Sequence, residues 1–408
     1  MFKYVLPLVV AAWSAPARAE TEPSAPLTLT AALALAAGAN PELAAARHEL
    51  GAQDGAVLQA GLPPNPTLSA ERVGARRGDA ARETTFQLSQ PLELGGKRAA
   101  RVLAAGRGRD SASASLALRR AETRAGVIDA WFAVLAAQEH VRLARQAAEL
   151  ARRAAGATAR RVVAGKVSPV EETRANVAAS SVRLELVRAD GALAGARQRL
   201  AALWGNPAPR FERVDGAIDA LPALPPDEAL RARLQRAPAL ALARAELARR
   251  QALAQVELSK RAPDLTLSVG SKRSEEAGRS QAVIGISVPL PLFDRNQGGV
   301  LESARRVDQA RDELAATALR LEGELAVARG EFEVARQQAQ ALRDDILPGA
   351  QSAYDAASTG FEYGKFGFLD VLDAQRTLLQ AQTLHLNALA DAHRALAAID
   401  RILGEDHE

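Results

Sequence analysis

Thr84-Thr85-Phe86-Gln87-Leu88-Ser89-Gln90-Pro91-Leu92 alternates apolar and polar side chains, and Gly95-Gly96-Lys97-Arg98 then opens a run without proline from Ala99 to about Ala164. Alternation with a period of two is the signature of a strand with one apolar face. The run that follows is rich in Ala, Leu, Arg, Glu and Gln. As a helix it would be on the order of 100 Å long, which a single globular domain cannot use. A short strand feeding a very long helix is therefore the unit to be explained.

That unit occurs twice. Shifted by about 198 residues, Ser89-x-Pro91-Leu92 falls on Ser287-x-Pro289-Leu290, Pro66 on Pro263, and Gly165-Lys166 on Gly364-Lys365. Pro41, Arg47 and Glu49 likewise fall on Pro238, Arg244 and Glu246. The period is too long for a solenoid repeat of about 20–50 residues, so half a structure has been duplicated. The first repeat, 20–204, predicts an Ala/Leu-rich helix after Thr30, a second helix from Pro41 to about Ala60, a hairpin over 67–90 and a long helical hairpin over 99–204 with its tip near Gly165. The second, 238–408, predicts a helix, a hairpin over 264–290 and a helical hairpin over 299–403 with its tip near Gly364. Pro348 predicts a kink in the second long helix. The segment 205–237 reads as a Pro-rich linker wrapping outside the helices.

In each hairpin one face is apolar: Phe86 and Leu88, then Leu265, Leu267 and Val269, then Ile284 and Ile286. The opposite faces carry Thr, Ser, Gln and Gly. In water such a face packs on a core; in an outer membrane it meets lipid, and the polar face lines a lumen. The helices favour the second reading, with small residues at helical spacing forming antiparallel coiled-coil pairs.

Composition narrows the class. Lys3, the apolar run from Tyr4 to Trp13 and Ala17-Arg18-Ala19 predict a secretory signal peptide over residues 1–19. No later segment reaches the roughly 20 apolar residues of a spanning helix, so any crossing is by strands. There is no cysteine, and Met1 is the one methionine, so the mature chain offers no sulfur to a metal and no thiol for a lipid. The formal charge of +4 comes from arginines interleaved with acids, the pattern of solvated helix faces rather than of a nucleic-acid surface. No catalytic motif is present, and the histidines 48, 140, 385, 393 and 407 are scattered. Asp406-His407-Glu408 reads as a solvated end. The expectation is a protein that is not an enzyme and needs no cofactor.

Four strands cannot cross a membrane alone, because open edges in hydrocarbon leave backbone groups unpaired. The smallest barrels need about eight strands, so two, three or four chains would close one.

Ser89 to Arg98 with Arg101, and Val288-Pro289-Leu290-Pro291-Leu292-Phe293-Asp294-Arg295-Asn296-Gln297-Gly298, resemble the two signatures that follow the hairpins of TolC-type outer-membrane efflux proteins. Gly165-Lys166-Val167-Ser168-Pro169 and Tyr363-Gly364-Lys365 through Leu369-Asp370-Val371-Leu372-Asp373 resemble that family's helical-hairpin tips. The CzcC-like heavy-metal branch is the most similar. The resemblance implies an α+β membrane protein. Four strands per protomer would enter a trimeric twelve-stranded outer-membrane barrel, continued by a long periplasmic coiled-coil barrel. It implies partners: outer-membrane lipid, two further copies in a homotrimer, a periplasmic adaptor, and an inner-membrane proton-driven pump of the resistance-nodulation-division type. It makes Gly165, Lys166, Gly364 and Lys365 adaptor-contact tips. Asp370 and Asp373 share a helix face; alone, they read as a solvated pair at a helix start. The resemblance makes them the lining of the periplasmic aperture. Lys97, Arg98 and Arg101 would snorkel at the interface, meet anionic head groups or cap the acids between strand and helix. The cargo implied is divalent metal; a duct for drugs or secreted protein, or a soluble periplasmic coiled-coil scaffold or adaptor, stands as the alternative.

N-terminal sequencing of the exported protein should begin at Glu20, and the protein should fractionate with outer membrane; recovery in the soluble periplasm would favour the scaffold.

Overall fold

The computed structural model describes residues 26–74, 82–275 and 277–404. The expected signal segment, the turn 75–81 and Asp406-His407-Glu408 lie outside the described residues. The order is α1 (Leu29–Ala39), α2 (Pro41–Ala60), β1 (Thr67–Val73), β2 (Glu83–Leu92), α3 (Lys97–Val163), α4 (Pro169–Ala202), α5 (Asp227–Leu234) and α6 (Pro238–Ser259). Then come β3 (Leu265–Ser274), β4 (Arg279–Ser287), α7 (Gln297–Ala341), a π-helical turn (Leu342–Ile346), α8 (Leu347–Glu362) and α9 (Phe368–Leu403). At 67 residues, α3 is about 100 Å long.

The repeat landmarks prove to be local structural devices. Arg47 donates to the Ala37 carbonyl at 2.6 Å, and Arg244 donates to the Gln235 carbonyl at 2.7 Å. Each arginine ties a repeat's second helix to the end of the segment before it. Gly205 and Gly404 both adopt positive φ at the close of a helical hairpin. Gly205 lies against Pro41, and a side chain at Gly404 would overlap Pro238. Each long helix leaves the sheet through a left-handed residue, Gly96 before α3 and Asn296 before α7. Asn tolerates that conformation better than most side chains do.

The four strands form one antiparallel sheet in sequence order, so the two hairpins join through β2 and β3. The register carries one apolar face across it. Leu68 opposes Leu88, Leu88 opposes Val269, and Val269 opposes Ile284. Among the described residues no helix covers that face: Leu68 is 73% exposed, Ile284 81% and Ile286 70%.

The main core lies where α1, α3, α4 and α9 meet the segment after α4. Trp131, Trp204, Phe211, Val214 and Ile218 are buried there. The expected linker 205–237 is thus partly core, and it contains α5, whose Leu230 and Leu234 pack against α7 and α9. The sequence reading missed this because Pro207, Pro209, Pro222, Pro225 and Pro226 drew the reading toward a linker and away from the apolar residues spaced among them. Leu27 pairs with this segment, donating to the Arg213 carbonyl and accepting from Asp215 N–H. Gly216 has no side chain because Trp131 occupies that space.

The break in the second long helix is a π turn ending just before Pro348, not a simple kink at the proline. Proline cannot donate to the carbonyl four residues back and crowds it, and one widened turn relieves both problems.

His393 is 2% exposed, stacked on Phe132, with Nε2 at 2.7 Å from the Ile218 carbonyl. A carbonyl only accepts, so Nε2 carries the proton. Nδ1 is buried and has no hydrogen-bond partner among the described residues. Burial pushes the imidazole below its usual pKa, against the smaller upward pull of the Ile218 carbonyl. A depressed folded-state pKa means stability is complete above the unfolded value of about 6.5 and is lost as pH falls toward the folded value. His393→Gln keeps a donor but does not titrate. Thermal melts at pH 8 and pH 5 should show a smaller acid-induced loss in the variant than in the parent.

Candidate functional site

The far end of the helical hairpins is built from two matching turns. At the end of α3, Gly165 has φ +67°, its N–H donates to the Val162 carbonyl at 2.9 Å, and Lys166 N–H donates to the Arg161 carbonyl at 2.9 Å. At the end of α8, Gly364 has φ +73°, its N–H donates to the Phe361 carbonyl at 3.1 Å, and Lys365 N–H donates to the Gly360 carbonyl at 2.7 Å. Both are Schellman closures, which need a residue tolerant of positive φ. The glycines therefore shape the tips, and the exposed lysines crown them.

The two tips lie together. The Arg161 guanidinium donates to the Phe361 carbonyl at 2.7 Å and sits 4.0 Å from the centre of the Phe361 ring. Ala155 and Ala175 pack there against Phe361 and Leu372. Further from the tip, Gln375 is buried and reaches the Ala147 carbonyl at 3.4 Å. The sequence reading missed Arg161 and Phe361, which carry this contact. Each stands four or three residues before a tip glycine, but only folding brings the two tips side by side.

The helix starts after the tips differ. Ser168 caps α4, accepting from Val170 N–H at 3.3 Å. The corresponding cap of α9 is Gly367, which has no side-chain acceptor. Asp370 supplies the other half of a capping box: its carboxylate accepts from the N–H of Gly367 itself, at 2.8 Å. Asp370 thus has a local structural role of the capping kind. Asp373 is exposed on the same side of α9, away from the buried row Val371, Gln375, Leu378 and Ala381. Among the described residues no group of three or more acids and histidines could hold a metal ion.

At the opposite end, the strands hand over to the helices through ion pairs. Arg101 is paired with Glu93 through both terminal nitrogens, one at 2.9 Å. Lys97 meets Asp264 at 2.7 Å, and Asp264 also accepts from Leu94 N–H at 3.1 Å. The hydrogen bond from Arg101 holds the Glu93 carboxyl below its usual pKa, against partial burial. Burial pushes Asp264 up, but the bonds from Lys97 and Leu94 bring it down overall. Of the three cations expected at this interface, Lys97 and Arg101 cap acids and Arg98 is exposed. Asp264 joins the second repeat to α3 of the first, a long-range pairing that local sequence does not signal. On the second repeat, Asn296 Nδ2 donates to both the Glu257 backbone carbonyl and its carboxylate, at 2.9 and 2.8 Å.

Comparison with known proteins fits this geometry. Residues 32–206 and 229–405, one match per repeat, correspond to the family described as outer membrane efflux protein. The chain is 49% identical over 383 residues to the cobalt-zinc-cadmium resistance protein CzcC of Cupriavidus metallidurans, covering 94% of this chain and 91% of that one. Among solved structures, CusC aligns with a TM-score of 0.78 at 17% identity over 93% of this chain and 92% of that one. The outer membrane protein VceC of Vibrio cholerae aligns with a TM-score of 0.77 at 20% identity, covering 93% and 97%. A sheet with a bare apolar face, paired helical hairpins with Schellman tips and a match in both repeats lead to one conclusion: the chain belongs to the outer membrane efflux protein family.

Proposed function

We propose that this chain is the outer-membrane duct of a tripartite, proton-driven efflux pump and that its cargo is divalent heavy-metal cations. The observation that carries the duct is the uncovered apolar face on a sheet with two open edges, β1 and β4. A soluble scaffold would have to bury that face; a lipid-facing barrel does not. The cargo rests on the likeness to a cobalt-zinc-cadmium resistance protein.

The duct works without chemistry. Residues on the face opposite the apolar one, among them Gln87, Ser268 and Gln281, line a wet lumen. A cation crossing it trades hydration water for side-chain oxygens and water, so no resident site is needed. Three copies would supply twelve strands and close every edge; two or four would also close, and the family resemblance favours three. At the tip, Lys166 and Lys365 would meet the periplasmic adaptor, which links the duct to a resistance-nodulation-division pump in the inner membrane. Asp370 and Asp373, repeated about the threefold axis, would ring the aperture, and acidic rings favour cations.

The protein in detergent should have the mass of three mature chains; a stable monomer would contradict the barrel, and a dimer or tetramer the threefold arrangement. The aperture is tested with Asp370→Asn combined with Asp373→Asn, because Asn keeps an acceptor for Gly367 N–H and removes only charge. Single-channel recordings should show reduced cation selectivity, and block by divalent cations weakened by roughly tenfold, equivalent to about 1.4 kcal/mol. Unchanged selectivity and block would leave the pair as a cap and a solvated neighbour.

A further inference from the structure

The apolar face of the sheet ends in arginine. The register places Arg72 opposite Thr84, Thr84 opposite Arg273, and Arg273 opposite Ser280, one row crossing all four strands. This row lies on the same face as Leu68, Leu88, Val269 and Ile284, at the end where the hairpins turn. From Leu265 to Arg273 the strand rises about 27 Å, and less along the membrane normal once tilted. That spans the apolar band of about 25 Å expected of an outer-membrane barrel. Arg72 and Arg273 therefore stand on the lipid side, just above the hydrocarbon, at the end away from the periplasmic helices.

Charge is sorted between the two faces. The strand acids Glu71 and Glu83 point to the opposite, lumenal face, where Glu83 neutralises Lys272 at 2.7 Å. Among the described strand residues the lipid face has no acid. Arg72 shares Glu275, beyond the strand end, at 3.3 Å, and remains more than half exposed. Arg273 is exposed, and among the described residues no carboxylate lies within ion-pair distance of it. A planar guanidinium suits the oxygens of a phosphate. The outer leaflet of an outer membrane is built from glycolipid whose sugar headgroup carries phosphates.

Resting on the duct reading above, we propose that Arg72 and Arg273 form an outward-facing anion site for the headgroup phosphates of the outer-leaflet glycolipid, lipid A. The site fixes the depth and rotation of the barrel in that leaflet.

The test is native mass spectrometry of the full-length protein in detergent, titrated with bisphosphorylated lipid A, with lipid A stripped of phosphate, and with phosphatidylglycerol. The parent should bind bisphosphorylated lipid A at least about tenfold more tightly than the other two, and R72Q/R273Q should lose that preference. Equal binding of the stripped lipid or of phosphatidylglycerol, or full retention by the double variant, overturns the proposal. Should the double variant fail to assemble, R273Q, which removes no ion pair among the described residues, is measured in its place. Mass and conductance of the parent separate the two levels. A monomer that does not conduct sinks the duct itself, whereas a conducting trimer indifferent to the phosphates sinks only this site.

Discussion

An antiparallel sheet with a bare apolar face and two unpaired edges is tolerable only in lipid, and only when closed. Each unpaired backbone group in hydrocarbon costs several kcal/mol. The rest of the structure follows from that constraint. Each hairpin passes directly into a helical hairpin through a left-handed residue, Gly96 or Asn296. The number of chains that closes the barrel therefore also fixes the number of helices around the tunnel. The pairs Glu93–Arg101 and Lys97–Asp264 tie strand ends to helix at that handover. They work at a boundary where partial burial makes a paired charge tolerable and an unpaired one costly.

Below the handover, stabilising contacts are unevenly spread. Large aromatic groups concentrate in the middle, where Trp131, Trp204, Phe211 and the Phe132–His393 stack are packed. Toward the tip the buried residues of α3 and α4 shrink to Ala147, Ala151, Ala155 and Thr158 on α3 and Ala175 on α4. Alanine permits close approach of helices but buries little apolar area, so each turn of the tip contributes less than a turn of the middle. The tip is thereby the low-stability end of the tube, the usual source of moving parts. Arg161 on Phe361 and Gln375 on Ala147 are directional contacts in a region with little apolar packing.

The duplication is imperfect in the helical hairpins. The first long helix runs unbroken, while the second is interrupted by the π turn before Pro348. The first tip leads into a Ser-capped helix. The second leads into a Gly-capped helix that borrows the Asp370 carboxylate. A duplicated chain thus presents two kinds of helical hairpin, which differ in the break of the outgoing helix and in the cap of the returning one.

Sequence alone determined the period, the strand faces and the tips. Alternation at Thr84–Gln90 and Ile284–Ile286 reports a face directly because a strand's side chains alternate. Gly-Lys after a long helix reports a closure because few residues accept positive φ. The Asp370–Asp373 spacing placed both on one helix face for the same local reason. What sequence did not determine were contacts between segments distant in the chain. It took the tertiary structure to bury 205–237 as core, to pair Asp264 with Lys97, to seat Arg161 on Phe361, and to turn Asp370 into the cap of a glycine-started helix. Register was also decided there: Arg72 and Arg273 are 201 positions apart in the chain, and only the pairing of β1 to β2 to β3 sets them in one row. Local periodicity is written in the order of residues. Partnership depends on closing long loops, and that is settled only when the whole chain packs.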